Sequence, residues 1–242
     1  MEPVDHAAAL ALLECGDVEL EGRMPWSSNA TYLVRVQRRD AGGFGSAECL
    51  AVYKPGRGER PLWDFPHGLF RREVAAYLLS ERLGWGLVPP TIRRDGPLGP
   101  GSLQLFIEAD FEQHYFTLYE QRPDLHGDLM TMCLFDIVTN NTDRKSGHVL
   151  LGPDGHIWGI DQGLCFSADF KLRTVIWEFA GQPVPRHLLA PLERLAHAVP
   201  LDVAALLEED EIEALQRRVG ALLRKPVFPV DTTGRRYPWP MV

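Results

Sequence analysis

Two aspartates stand 18 positions apart, each at the mouth of a short apolar run: Asp143 in NNTDRKSGHVLL and Asp161 in GIDQGLCF. Upstream, the strand-like run CLAVYK ends in Lys54, and the helical pattern GLFRREVAAYLLSERLG carries Glu73 at the edge of its apolar stripe. A lysine, a glutamate and two aspartates in that order are the groups that phosphoryl transfer from ATP requires. The lysine steadies the nucleotide phosphates and the glutamate holds the lysine. One aspartate positions the attacking hydroxyl, and the other holds magnesium on the phosphates. Little covalent chemistry falls to the protein, because positioning and charge neutralisation supply the rate. Taken alone, Glu73 reads better as a solvated glutamate on a helix surface.

The elements that must position these groups follow from patterning. Gly22 to Asn29 reads as a loop of small and polar residues, feeding TYLVRVQRR, a strand with Tyr32, Val34 and Val36 on one face. RDAGGFGSAE reads as a hairpin connection; its glycines are not followed by a helix, so a plain turn is the better reading than a phosphate cradle. CLAVYK is apolar on both faces until Lys54, which places the ammonium near or inside the body of the protein. In the helix that follows, Phe70, Val74, Tyr77 and Leu78 form the stripe and Gly84 closes it. GLVPPTI and GSLQLFIE read as two further strands around the turn RDGPLGPG, completing a small, mostly antiparallel sheet with one helix over residues 1 to about 108.

Beyond that point the composition becomes helical. DLMTMCLFDIVTN carries two adjacent apolar rows, Leu129, Cys133, Ile137 and Met130, Leu134, Val138, the mark of a buried helix. Asn140 and Asn141 are expected to cap it and shape the loop, and Arg144 to anchor that loop against a carboxylate. HVLLGPDGHIWGI is expected to fold as a hairpin around Gly152 to Gly155. Ile212, Leu215, Val219 and Leu222 outline a C-terminal helix. The tail RRYPWPMV is expected to dock through Tyr237 and Trp239.

The segments SSNATYLV, AVYKP, REVAAYLLSERLGWGLVPPT, NNTDRKSGHVLL and IDQGLCF together resemble the phosphatidylinositol 3-/4-kinase-like superfamily. The resemblance is nearest to its type II phosphatidylinositol 4-kinase branch, and closer still to a group of actinobacterial proteins within it. It runs from about Trp26 to Phe166, more than half of the chain. It implies a two-lobed, protein-kinase-like α+β fold: an N-lobe of small antiparallel sheet over residues 1–108 and a mostly helical C-lobe over 109–242. It also implies roles. Ser27, Ser28 and Asn29 would sit over the phosphates in place of a glycine-rich loop. Lys54 would contact the phosphates with Glu73 as its partner, Asp143 would be the catalytic-loop acid, and Asp161 would bind metal. Leu105, Phe106 and Ile107, running on to Glu108, would read the adenine edge. His148 stands where such kinases carry an asparagine as the other metal ligand, which turns the expected ion from Mg2+ alone to Mg2+ or Mn2+. The acceptor would be a hydroxyl on a protein, a small molecule or a lipid. The cysteine-rich palmitoylation stretch of the lipid-kinase branch is absent.

Composition narrows the setting. With 45% hydrophobic and 24% charged residues the chain is an ordinary globular one, and a net charge of -8 argues against nucleic acid or an anionic membrane as the main partner. The four cysteines form no CxxC, so neither a zinc cage nor a disulfide framework is indicated and a reducing cytoplasm is expected. No apolar run is long enough for a membrane span, and no signal peptide is recognised at the N-terminus. GxSxG and HExxH are both missing, which leaves serine-esterase and zinc-protease readings without a foothold. Two alternatives to a kinase stay open: a catalytically silent nucleotide-binding scaffold, and an AMP transferase using the same pocket.

Overall fold

The computed structural model describes residues 6–25, 27, 29–39 and 46–242. The chain opens with helix α1 (His6–Cys15) and strands β1 (Asp17–Arg23), β2 (Tyr32–Arg39) and β3 (Ser46–Pro55). Helix α2 (Leu69–Leu83) follows, and then β4 (Thr91–Gly96) and β5 (Gly99–Leu105). The five strands make one antiparallel sheet in the order β1-β2-β3-β5-β4. Alternation along the strands puts Val34, Val36, Ala51, Tyr53, Leu103 and Leu105 on one face, where Ala9, Leu12 and Leu13 of α1 cover them. The opposite face of β3 is left to line a cleft.

Several boundaries differ from the sequence reading, for physical reasons. Among the described residues up to 108 there are two α-helices, not one, since α1 precedes the sheet. Strand β1, DVELEGR, is an edge strand with almost every side chain exposed, so it carries no alternation for a pattern to find. Strand β4 begins only at Thr91, because Pro89 and Pro90 cannot donate to a ladder. It then runs on through Asp95 and Gly96, which pair with Pro100 and Gly99, so the connecting turn is only Pro97 and Leu98. The expected connection between β2 and β3 falls largely outside the described residues.

Helix α2 starts where Glu59 accepts the N–H groups of Gly68 (2.9 Å) and Phe70 (2.8 Å), and it ends on Gly84, whose φ of +71° favours glycine. Its buried residues exceed the expected stripe: Leu69, Ala75, Ala76, Leu79 and Leu83 join Val74 and Tyr77, while Phe70 and Leu78 are only half-buried. The helix is covered on two sides, by β4 and β5 and by the helices that follow.

The second half contains α3 (Tyr115–Gln121), α4 (His126–Thr139), the hairpin β6 (Val149–Leu151) and β7 (Ile157–Gly159), then α5 (Arg186–His197), α6 (Leu201–Ala204) and α7 (Glu209–Arg224). The doubly apolar α4 is its axis, with Leu129, Met132, Leu134 and Phe135 completely buried. Of the two aromatics expected to dock the tail, Tyr237 does so, its ring 6.4 Å from that of Trp177, whereas Trp239 is 87% exposed and its neighbour Pro238 is buried. Backbone bonds do the holding: Ser146 N–H donates to Met241 O at 2.8 Å, and Thr174 N–H to Arg236 O at 3.1 Å. Among the described residues no helix is long and apolar enough to cross a membrane.

Candidate active site

Strand β3 sends Ala51 and Tyr53 into the core under α1, so Lys54 emerges on the cleft face. From α2 the Glu73 carboxylate turns inward and is 3% exposed, which decides against the solvated reading. Lys54 Nζ donates to Glu73 Oε1 and, at 2.8 Å, to Asp161 Oδ1. The second Glu73 oxygen accepts the Gln162 N–H at 2.9 Å, so one carboxylate fixes both the lysine and the chain beside Asp161. At Gly163 an added Cβ would lie 3.3 Å from Glu73 Oε1, so a side chain there would press on that carboxylate. Asp161 itself adopts φ +60°, a left-handed conformation that costs about 1–3 kcal/mol for a non-glycine residue and persists because its neighbours hold it. Ile160 N–H bonds to His148 O at 3.0 Å on one side and Gln162 to Glu73 on the other, leaving the carboxylate aimed at Lys54.

His148 Nε2 faces Asp161 Oδ2 at 3.6 Å. Burial pushes the His148 imidazole down to about 4, with the Asp161 carboxylate opposing the shift, so the ring is neutral at pH 7. The Lys54 ammonium holds the Asp161 carboxyl well below the usual carboxylate range. For Lys54, burial works against the charge, but Asp161 and Glu73 outweigh it and hold the ammonium above the ordinary lysine range. Burial raises the Glu73 carboxyl above its usual range, with the Lys54 ammonium opposing the shift. The cleft thus presents a cation held between two carboxylates, beside a neutral imidazole. Among the described residues no three His, Cys, Asp or Glu side chains gather to hold an ion.

The loop after α4 is built from its own polar residues. Asn140 caps the helix with φ +56°; its Nδ2 donates to Ser167 O (2.9 Å) and Asp169 O (2.7 Å), and its Oδ1 accepts the Lys171 N–H (3.0 Å). Asn141 Nδ2 donates to Asp136 Oδ1 at 3.1 Å, while its Oδ1 accepts the Asp143 N–H at 2.9 Å. Arg144, fully buried, reaches both Asp136 oxygens from Nε (3.0 and 3.1 Å), and also Ile160 O (2.9 Å) and Gln162 Oε1 (3.1 Å). Thr174 Oγ1 adds a third donor to Asp136 at 3.0 Å. One buried ion pair therefore joins the end of α4, the Asp143 loop and the exit from β7. Asp143 stands apart from the Lys54 cluster, its carboxylate 3.3 Å from Lys145 Nζ. Burial raises the Asp143 carboxyl above its usual range, with Lys145 opposing.

Sequence reasoning named Arg144 and the two asparagines but missed Asp136, Gln162 and Thr174. A signal existed for the first of these: Asp136 is the one acid inside the apolar rows of α4, and a buried carboxylate needs a partner.

On the other side of the cleft, Asn29 Oδ1 accepts the Arg60 N–H at 2.9 Å and Ala30 N–H donates to Gly58 O at 3.0 Å. These bonds lace the loop of Ser27 and Asn29 to the turn just after Lys54; Ser28 lies outside the described residues. Leu105 pairs with Ala51, three residues before Lys54 on the neighbouring strand. The N–H groups of Leu105 and Phe106 are taken by Pro90 O (2.8 Å) and Leu50 O (3.0 Å). Those of Ile107 and Glu108 have no protein acceptor among the described residues.

No protein-family model matches the chain. Among solved structures, it is similar to the crystal structure of the Golgi casein kinase with Mn/ADP bound, with a TM-score of 0.58, 14% identity, and 98% of this chain and 80% of that one covered. It is also similar to the structure of hydra Fam20 with sugar, with a TM-score of 0.55, 16% identity, and 89% and 86% covered. At such identities the likeness shows the fold: a two-lobed, kinase-like α+β arrangement of antiparallel sheet and helices. By sequence the chain is 40% identical to Protein Rv2133c of Mycobacterium tuberculosis over 267 aligned residues, which cover 95% of this chain and 94% of that protein. With that identity sustained over nearly the whole of both chains, this chain belongs to the family of Mycobacterium tuberculosis Protein Rv2133c.

Proposed function

We propose that the chain is an ATP-dependent phosphotransferase of the phosphatidylinositol 3-/4-kinase-like kind, acting on a hydroxyl acceptor, with its lobes meeting near Glu108. The observation that carries this is Lys54 Nζ held between Glu73 and Asp161 in the cleft. A half-buried lysine fixed by one carboxylate and facing a second suits a polyphosphate with its cation better than any hydrolytic site. Lys54 contacts the phosphates, and Asp161 is the carboxylate that would hold the ion. Glu73 keeps the ammonium oriented throughout. Asp143, at the edge of the cleft with its basicity raised by burial, accepts the hydrogen bond of the acceptor hydroxyl and takes its proton as the phosphoryl group leaves ATP for that oxygen.

The donor set fits a divalent ion. Asp161 is ionised with its side chain half exposed to the cleft, and His148 is neutral beside it. Asp161 and His148 would hold the ion, and when bound it would neutralise phosphate charge. Three residues of strand, about 10 Å, separate the level of Leu105 from Lys54, a suitable span for a nucleoside to reach its phosphates. The free N–H groups of Ile107 and Glu108 are the donors left for the adenine edge. Ser27 and Asn29 close over the phosphates in this arrangement.

A thermal-shift titration with ATP plus Mg2+ or Mn2+, run beside Asp161→Ala, tests the reading. At a hundredfold its dissociation constant a specific ligand adds roughly 2.7 kcal/mol of stability. A metal-dependent rise in melting temperature that the variant loses is the expected result; no rise with either metal would sink the proposal. His148→Asn, which exchanges nitrogen for oxygen, should move the activity ratio toward magnesium. An unchanged manganese-to-magnesium ratio would remove His148 from the metal shell.

A further inference from the structure

Helix α2 carries Glu73, yet its apolar side chains do not belong to the core of the sheet. Ala76, Leu79 and Leu83 pack in the cluster that holds Phe135, Leu192 and Phe228, whereas the sheet closes over α1 without them. The charged residues of α2 are tied to the same helices. Arg71 Nη2 meets Glu208 Oε1 at 2.7 Å, and Arg82 Nη2 meets Asp202 Oδ2 at 2.6 Å. These two pairs are solvated and hold little. Between them Arg72, 1% exposed, donates from Nη2 to Oε1 of Glu211, itself 4% exposed.

That third pair differs in kind. The other Glu211 oxygen accepts the Glu208 N–H at 3.0 Å, so the same carboxylate closes the capping box of α7 and holds Arg72. Glu211 cannot swing away without uncapping α7, and Arg72 cannot leave without stranding a desolvated charge. Arg72 immediately precedes Glu73. Successive helix positions point about a quarter-turn apart, so one faces α7 while the next faces the cleft.

We propose that Arg72 and Glu211 are positioning residues for Glu73: the buried pair clamps α2 to α7 and sets where Glu73 meets Lys54, with or without nucleotide. The role rests on the phosphotransferase reading above. It ties the Glu73 position to α7 on the side of α2 that faces away from β4 and β5.

The test is the double variant Arg72→Met/Glu211→Gln, which removes both charges but keeps a side chain able to cap α7 and the bulk that fills the site. Three readouts apply: melting temperature, hydrogen exchange of the α2 amides, and the steady-state rate of ADP formation from Mn2+–ATP. The expected result is a melting temperature near that of the wild type, faster exchange along α2, and kcat reduced roughly 10- to 100-fold with KM for ATP changed far less. A folded double variant with wild-type kcat overturns the proposal. Should the double variant fail to fold, Arg72→Lys keeps the charge and loses the planar fork. Reduced kcat at an unchanged melting temperature then supports the role, and unchanged kcat overturns it. Failure of the underlying reading looks different, because the wild type itself would show no Mn2+–ATP thermal shift and no ADP formation.

Discussion

Asp143→Asn should lower phosphoryl transfer roughly 10³-fold while leaving the nucleotide-induced rise in melting temperature intact. The substitution keeps size and shape. The bond that holds the loop at this point runs from the Asp143 backbone N–H to Asn141 Oδ1, so it survives a change of side chain. None of the Lys54, Glu73 and Asp161 contacts involves the Asp143 carboxylate, so the phosphate side of the cleft should bind as before. What disappears is the anionic acceptor for the hydroxyl proton, whose basicity burial has already raised. Paired measurements check this: ADP formation and intact mass of the acceptor for transfer, and thermal shift with Mn2+–ATP for binding. Turnover equal to that of the wild type would show that the catalytic-loop role was misassigned; loss of binding together with turnover would place Asp143 on the nucleotide.

The grouping of Lys54, Glu73 and Asp161 was legible because each is marked by the pattern around it: a run apolar on both faces that ends in Lys54, a helical stripe with Glu73 at its edge, an apolar run before Asp161. Which way Glu73 pointed was not legible from that stripe. A single periodic face says nothing of a second one, and α2 is covered on two sides. The Asp136–Arg144 pair could be half read, since Arg144 was expected to meet a carboxylate but the acid lay inside an apolar helix. Arg72 and Glu211 stand 139 positions apart and leave no local pattern at all. Strand β1 escaped because an edge strand with exposed charges has no hydrophobic phase. The tail was read through Tyr237 and Trp239; Tyr237 meets Trp177, but Trp239 does not dock, and Pro238 and backbone carbonyls, which no residue type announces, do the rest.

Asp136→Ala should destabilise the fold by about 3–5 kcal/mol, because it leaves the Arg144 guanidinium buried without a countercharge. The acceptors that remain to Arg144, Ile160 O, His148 O and Gln162 Oε1, are all neutral. Asn141 Nδ2 and Thr174 Oγ1 would lose their acceptor on Asp136 at the same time. For a domain of this size the loss corresponds to a fall in melting temperature of roughly 6–20 °C. Removing both partners separates charge from geometry. Asp136→Leu with Arg144→Met fills the space with apolar atoms, and such replacements of buried pairs are often close to neutral for stability. The double variant should therefore melt well above Asp136→Ala. Its transfer rate should stay low, since Arg144 is what joins the Asp143 loop to Ile160 and Gln162 on either side of Asp161. A single variant that melts within about 2 °C of the wild type would mean the pair does not hold the loop. A double variant that recovers transfer along with stability would mean the geometry around Asp143 and Asp161 is set without it.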